Sequence, residues 1–149
     1  MSVPQFGQPQ PGRDYPDRPV AFGVATRDGM VALVRVTPAD VPARIDLPGG
    51  GIDAGESPEA ALAREFGEEA GLRIGRISPL GLADHYFVNG AGEGFNTRGQ
   101  FFSAEVESAA PELKIEDDHT LLWASPEIAL RQVSRDSHAW ALALWLRRR

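Results

Sequence analysis

The sequence predicts an α/β (α+β) fold built as a mixed sheet with helices on both faces. Three observations carry that prediction. Strand-like and helix-like segments alternate along the chain instead of falling into separate halves, which is how helices come to lie over a sheet. The dipeptide Asp28-Gly29, the strongest short hairpin signal present, joins two Val- and Ala-rich runs, and a well-capped helix signal follows further on. The chain has 149 residues and no internal repeat, enough to bury the core of one globular domain and too few for two.

Taken in order, the first nineteen residues hold five prolines (Pro4, Pro9, Pro11, Pro16 and Pro19) and predict an extended arm over 1–19 without a core of its own. That leaves 20–149 as the single domain. Val20–Thr26 and Met30–Val36 are expected to pair as antiparallel strands across the Asp28-Gly29 turn. Pro38 and Pro42 mark a loop leading to Ile45-Asp46-Leu47-Pro48. Gly49, Gly50 and Gly51 follow, a run that implies some close approach to the main chain. Ser57, Pro58 and Glu59 read as N-cap, first-turn proline and early acid, and Gly71 as the stop, so a helix is expected over Pro58–Ala70. Ile77–Leu82, His85–Val88 and Gln100–Val106 read as strands, with a Gly-rich loop at Asn89–Gly94 and a further strand at Leu121–Ala124. Ser125-Pro126-Glu127 opens a short helix, and Asp136 or Ser137 opens the last one.

Composition narrows the chemistry. The absence of cysteine removes disulfides, thiolate metal sites and cysteine nucleophiles, and suits a cytoplasmic protein. The longest apolar run, Ala139–Leu146, is too short to cross a bilayer, so no membrane partner is expected. A net charge of −6 argues against a broad nucleic-acid surface. It also means that a phosphate-bearing ligand would need a cation between itself and the protein.

On the expected helix, Leu62 and Phe66 form an apolar stripe with Ala63 and Ala70 nearby, while Glu65, Glu68 and Glu69 share another face. Carboxylates three and four residues apart repel by a few tenths of a kcal/mol per pair (about 0.2–0.5) unless a cation sits among them. A solvated acidic face is the plain alternative. The upstream glycines, a further acid at Glu56, and Arg64 within reach of Glu56 or Glu68 favour a site for a hard divalent cation such as Mg²⁺ or Mn²⁺.

The run from Gly50 to Leu72 resembles a complete Nudix box. Gly50 is followed after five residues by Glu56, after seven more by Arg64-Glu65, then by apolar Phe66, any residue, Glu68-Glu69, any residue, Gly71 and apolar Leu72. Leu47-Pro48-Gly49 also fits the family. Two departures are Phe66, where an aliphatic residue is usual, and Gly67 in mid-helix, which should cost about 1 kcal/mol relative to Ala.

The resemblance to the Nudix (MutT-like) hydrolases implies an α/β/α sandwich with a mixed central sheet. It also implies metal-dependent attack of water on a diphosphate bond in a nucleoside diphosphate linked to another group. Glu65, Glu68 and Glu69 would hold Mg²⁺ or Mn²⁺, with the Gly49 carbonyl as a further ligand. Glu56 and Arg64 would orient the cluster, and Gly50 and Gly71 would shape the loop and helix end. The general base is left between Glu65 and the Glu116-Asp117-Asp118-His119 run, within which Glu116 is the choice for base or ligand and His119 for a substrate contact. His85 and Arg98 are candidate substrate contacts, against plain readings as a strand histidine and a solvent-loop arginine. His138, Trp140 and Trp145 are expected in the core or an interface, and their largely apolar helix leaves a homodimer contact open. Expected partners are small nucleotides, with no nucleic acid. A mutator-type nucleoside triphosphate pyrophosphatase, a dinucleoside polyphosphate or nucleotide-sugar hydrolase, and a catalytically inactive nucleotide-sensing module all remain readings. The sensor is disfavoured because such proteins lose box acids that are all present here.

Overall fold

The computed structural model describes residues 2–39 and 42–149, so part of the loop expected between Pro38 and Pro42 lies outside the described residues. Among the described residues, eight strands, three α-helices and one 3-10 turn follow one another: β1 (Gln5–Phe6), β2 (Asp17–Arg27), β3 (Met30–Val36), β4 (Arg44–Asp46), β5 (Gly49–Gly51), α1 (Pro58–Ala70), β6 (Leu72–Val88), β7 (Gly94–Ala109), the turn Pro111–Leu113, β8 (His119–Ala124), α2 (Pro126–Gln132) and α3 (Asp136–Arg148). The sheet runs β1-β6-β7-β2-β3-β4, with β5 also paired to β2 and β8 to β3. It is mixed: β2 runs parallel to β7 and β1 parallel to β6, and the other pairings are antiparallel.

Strand alternation explains the layers. Along β2, Val20, Phe22 and Val24 pack with Ala129, Ala141 and Leu142 of α2 and α3, while Ala21 and Ala25 pack with Leu62, Phe66 and Ala70 of α1. Burying Leu62 and Phe66 contributes about 1.5–3 kcal/mol each. Between Ala21 and Ala25 the α1 side of β2 carries only small residues. A Cβ at Gly23 would meet Leu62 and Phe66 at 3.1–3.2 Å, so the helix sits almost on the strand. The result is the α/β/α arrangement expected.

Both sequence turn signals hold in detail. Asp28 (φ 52°) and Gly29 (φ 77°) take the left-handed pair that a tight hairpin demands. The Ser57 hydroxyl accepts from the Ala60 amide and Gly71 (φ 64°) closes α1 at its expected ends.

Three elements differ from expectation. The glycine run is a strand, because beyond the hairpin turn β3 diverges from β2 and β5 takes over that edge, pairing Val20 to Gly51 and Phe22 to Gly49. Two expected strands are one, β6, which passes its bulges around Arg73, Gly75 and Pro79 without breaking the ladder to β7. β7 begins at Gly94, so the Gly-rich loop is shorter than read. Residues of the arm are tied to the sheet: Asp84 donates to the Pro4 carbonyl and Asn96 to that of Pro16, and Phe6 lies against His85 and Trp140.

Candidate active site

The site forms where α1 crosses the β2–β5 edge. Gly49 (φ 149°) has no room for a side chain, since a Cβ would lie 2.1 Å from the Ala21 carbonyl oxygen. That close approach brings its amide to Glu69, whose Oε1 accepts from it at 3.1 Å. At Gly50 a Cβ would meet the Glu65 carboxylate at 2.8–3.2 Å. The approach inferred from the three glycines is therefore partly that of a box carboxylate.

Arg64 clamps the cluster. Its Nε and Nη2 donate to Glu56 at 2.8 and 3.0 Å, Nη2 also to the Gly51 carbonyl at 3.0 Å, and Nη1 to Glu65 and Glu68 at 3.2 Å. These bonds to Arg64 hold the Glu56 carboxyl well below the usual range, at about 2, and raise the arginine further in turn. Glu65 goes the other way: burial, then the neighbouring Glu69 charge, push it up to about 7.

The second wall comes from the segment before β8. The Glu68 carbonyl, freed by the end of α1, accepts from the amides of Ile115 and Glu116 at 3.0 Å, which ties that segment to the box helix. Glu116 and His119 then line the same cleft as Glu65 and Glu69. His119 Nε2 lies 3.1 Å from Glu69 Oε2, and its Nδ1 lies 2.8 Å from Asp118 Oδ1. Burial opposes charging the imidazole, but the bonds to Glu69 and Asp118 outweigh it and push its pKa up to about 9. Burial pulls Glu69 toward neutrality against its His119 and Gly49 donors. Because each of its oxygens faces an N–H, the carboxylate is the form this geometry serves.

Of the candidates outside the box, Glu116 and His119 are brought in, His119 onto a glutamate. His85 and Arg98 are not. His85 bonds Ser137 at the foot of α3 (2.8 Å), and Arg98 pairs with Asp17 and Asp84 on the surface. The reason is strand parity and register, which turn His85 toward α3 and set Arg98 beside two acids. His138 is fully buried and accepts from the Leu47 amide through Nδ1, a core position; Trp140 and Trp145 are partly buried against the same cluster.

Sequence reasoning missed the cleft's far end. Asp46 is buried and pairs through Oδ2 with Arg44 (2.9 Å) and Arg135 (3.2 Å), and Arg135 stacks on Phe87. These cationic partners outweigh burial and keep the Asp46 carboxyl below its ordinary value. Arg18 also lines the cleft and lies over Phe95, with no ion pair among the described residues. Only the position of Asp46 next to Leu47-Pro48-Gly49 offered a signal for any of these.

The donors gathered here are carboxylate and carbonyl oxygens, with one imidazole and no sulfur, and the side chains of the repelling acids Glu65 and Glu69 are largely buried. That donor set fits a hard divalent cation such as Mg²⁺ or Mn²⁺. Glu116, Asp118 and His119 also offer ligand atoms within 4.8 Å of one another. A helix of acids faces a glycine strand and is locked by one arginine.

The sequence matches the NUDIX domain over residues 17–145, and the chain belongs to the Nudix family. Among curated proteins it is similar to the putative 8-oxo-dGTP diphosphatase 2 of Mycobacterium tuberculosis (strain H37Rv), 44% identical over 61 residues, which are 40% of this chain and 43% of that protein. It is also similar to an RNA pyrophosphohydrolase of Gluconobacter oxydans (strain 621H), 44% identical over 64 residues, 42% of this chain and 36% of that one. Both matches thus span less than half of the relative's length. Among solved structures, a NUDIX hydrolase from Nitrosomonas europaea superposes with a TM-score of 0.73 at 19% identity, covering 88% of this chain and 89% of that one. A MutT NUDIX hydrolase from Burkholderia pseudomallei gives 0.65 at 24% identity, covering 86% and 97%. These likenesses establish the fold. No helix among the described residues is long and apolar enough to cross a membrane.

Proposed function

We propose that this chain is a Mg²⁺- or Mn²⁺-dependent hydrolase of a phosphoanhydride bond in a nucleoside diphosphate linked to a further group. The observation that carries the reading is the convergence of Glu65 and Glu69 on the glycine strand, with Glu68 held beside Glu65 by the Arg64 clamp. A cation bound there would neutralise charge on the phosphate oxygens and lower the pKa of the attacking water.

In this reading Glu65, Glu68 and Glu69 hold the cation, with the Gly49 carbonyl beside them. Glu56 and Arg64 hold the carboxylates in place, and Gly50 leaves room for Glu65. Glu65 and Glu116 both line the cleft and are the two candidates to take the proton from water. The uncommitted cation of Arg18 suits a substrate phosphate.

The names of the two curated relatives favour an oxidised nucleoside triphosphate or an RNA as substrate. The net charge of −6 favours the small nucleotide. The test is a panel of nucleoside triphosphates, oxidised nucleotides, dinucleoside polyphosphates, nucleotide sugars and a short triphosphorylated RNA, run with Mg²⁺ or Mn²⁺ against wild type and Glu68→Gln. Turnover that disappears in the variant and with chelator is expected. Cation and nucleotide binding without turnover of any compound would instead identify a sensing module.

A further inference from the structure

We infer that His119 is a positioning residue for the Glu69 carboxylate, the central link of a chain running from Asp118 through His119 and Glu69 to the Gly49 amide. The inference rests on the reading above in taking Glu69 as a cation ligand.

The geometry is closed at each step. Asp118 Oδ1 meets His119 Nδ1 at 2.8 Å, His119 Nε2 meets Glu69 Oε2 at 3.1 Å, and the Gly49 amide donates to Glu69 Oε1 at 3.1 Å. One donor on each oxygen fixes both the tilt and the rotation of a carboxylate that otherwise has three free side-chain torsions. Each oxygen keeps a lone pair for a cation. The chain is also buried where precision matters: the Glu69 side chain is 9% exposed and that of His119 14%, whereas Asp118, at the outer end, is 45% exposed.

Both ends are anchored by backbone. His119 opens β8 opposite Val36, and the Thr37 amide donates to the Asp118 carbonyl at 2.9 Å, so the imidazole is carried by the sheet. Glu69 is carried by α1. The 3.1 Å contact between the imidazole and the carboxylate joins helix to strand at the cleft itself. Both imidazole nitrogens are already engaged, so a role as direct substrate contact or metal ligand would require breaking one of these bonds. Ligating carboxylates are commonly held in this way, and losing such a partner typically weakens metal affinity or activity by about 10–100-fold.

Two amide variants separate the possibilities. The His119→Gln amide reaches as far as Nε2 and can still donate to Glu69; the His119→Asn amide reaches only as far as Nδ1 and can bond Asp118 alone. In the full chain we expect Asn to weaken Mn²⁺ binding, read by calorimetry, by about tenfold or more, and Gln to restore most of it. In the metal-free protein the Gly49 amide resonance should move in the Asn variant and return in the Gln variant, because it reports the Glu69 oxygen that it donates to. Equal Mn²⁺ affinity and an unmoved Gly49 amide in His119→Asn would overturn the inference. So would imidazole nitrogen coupling to bound Mn²⁺ that vanishes in His119→Gln, which would make His119 a ligand. A wild type that binds no Mn²⁺, with a Gly49 amide still sensitive to Asn and not to Gln, would sink the metal reading of the site and leave the positioning of Glu69 standing.

Discussion

Replacing Gly50 with alanine should injure the site and spare the fold. The added methyl would lie 2.8 Å from Glu65 Oε1 and 2.9 Å from its Cδ, where ordinary contact begins near 3.4 Å. The carboxylate must therefore retreat by about 0.6 Å (3.4 − 2.8). Misplacing a reacting group by about 1 Å can cost about 100-fold, so a shift of roughly half that size predicts a loss near tenfold in kcat, about 1.4 kcal/mol. Only the free end of a side chain has to move, and Gly50 is outside the left-handed region, so stability should change little. Gly49→Ala is the contrast. Its methyl would meet the Ala21 carbonyl and the Phe22 Cα, both backbone, at a φ that suits only glycine, so the fold itself should fail. Thermal melts, Mn²⁺ titration and initial rates on the best substrate of the panel would be compared for both. Wild-type turnover in Gly50→Ala, or a melt as depressed as that of Gly49→Ala, would refute the reasoning.

Three further outcomes are expected. Arg64→Lys supplies one nitrogen where three now serve Glu56, Gly51, Glu65 and Glu68, and should lower kcat by about 10–100-fold with a smaller change in KM, measured by steady-state kinetics. Burial, helped by Arg135, depresses His138 to about 3 against an ordinary 6.5, so between those values the unfolded chain binds a proton that the folded one refuses. Its contribution is therefore complete above about pH 6.5 and lost as pH falls toward 3, by about 1.4 kcal/mol per pH unit. Denaturant melts of His138→Gln, less stable at pH 8, should be flatter than wild type by that slope, and parallel slopes would exclude the assignment. Deleting residues 2–13 removes Phe6 from His85 and Trp140 and the Arg13 bond to the Gly92 carbonyl; it should cost about 1–2 kcal/mol in a thermal melt and raise KM through the strand ends that line the cleft. An unchanged melt would mean that the arm contributes no stability.

What could be read in advance was local. The caps of α1, the Leu62 and Phe66 stripe and the row of acids lie within one continuous stretch, where each residue speaks through neighbours three or four positions away; Ala63, read with the stripe, is exposed, and Ala61 is buried in its place. β5 could not be read, because three glycines are poor strand formers and only the distant edge of β2 makes them one. The same limit hid His119. Its partner Glu69 lies on another element, and the acidic run around it gave no register from which to tell a substrate contact from a bond to a box carboxylate. For His85 the alternation of β6 was blurred by bulges, so which face it took was settled only by pairing with β7.

Gly67 joins the two halves of this contrast. Within the helix alone it is a defect of about 1 kcal/mol. In the fold, a Cβ there would meet the Cβ and Cδ1 of Leu113 at 3.2 Å, so the glycine lets the turn Pro111–Leu113 press against α1. That contact sits just before the bonds from Ile115 and Glu116 to the Glu68 carbonyl, which in turn set Glu116 and His119 at the cleft. A helix optimised for its own stability at position 67 would hold the second acidic segment farther from the first. The local rule is broken where two parts of the site must meet, which is where conflicts between propensity and fold are expected to concentrate.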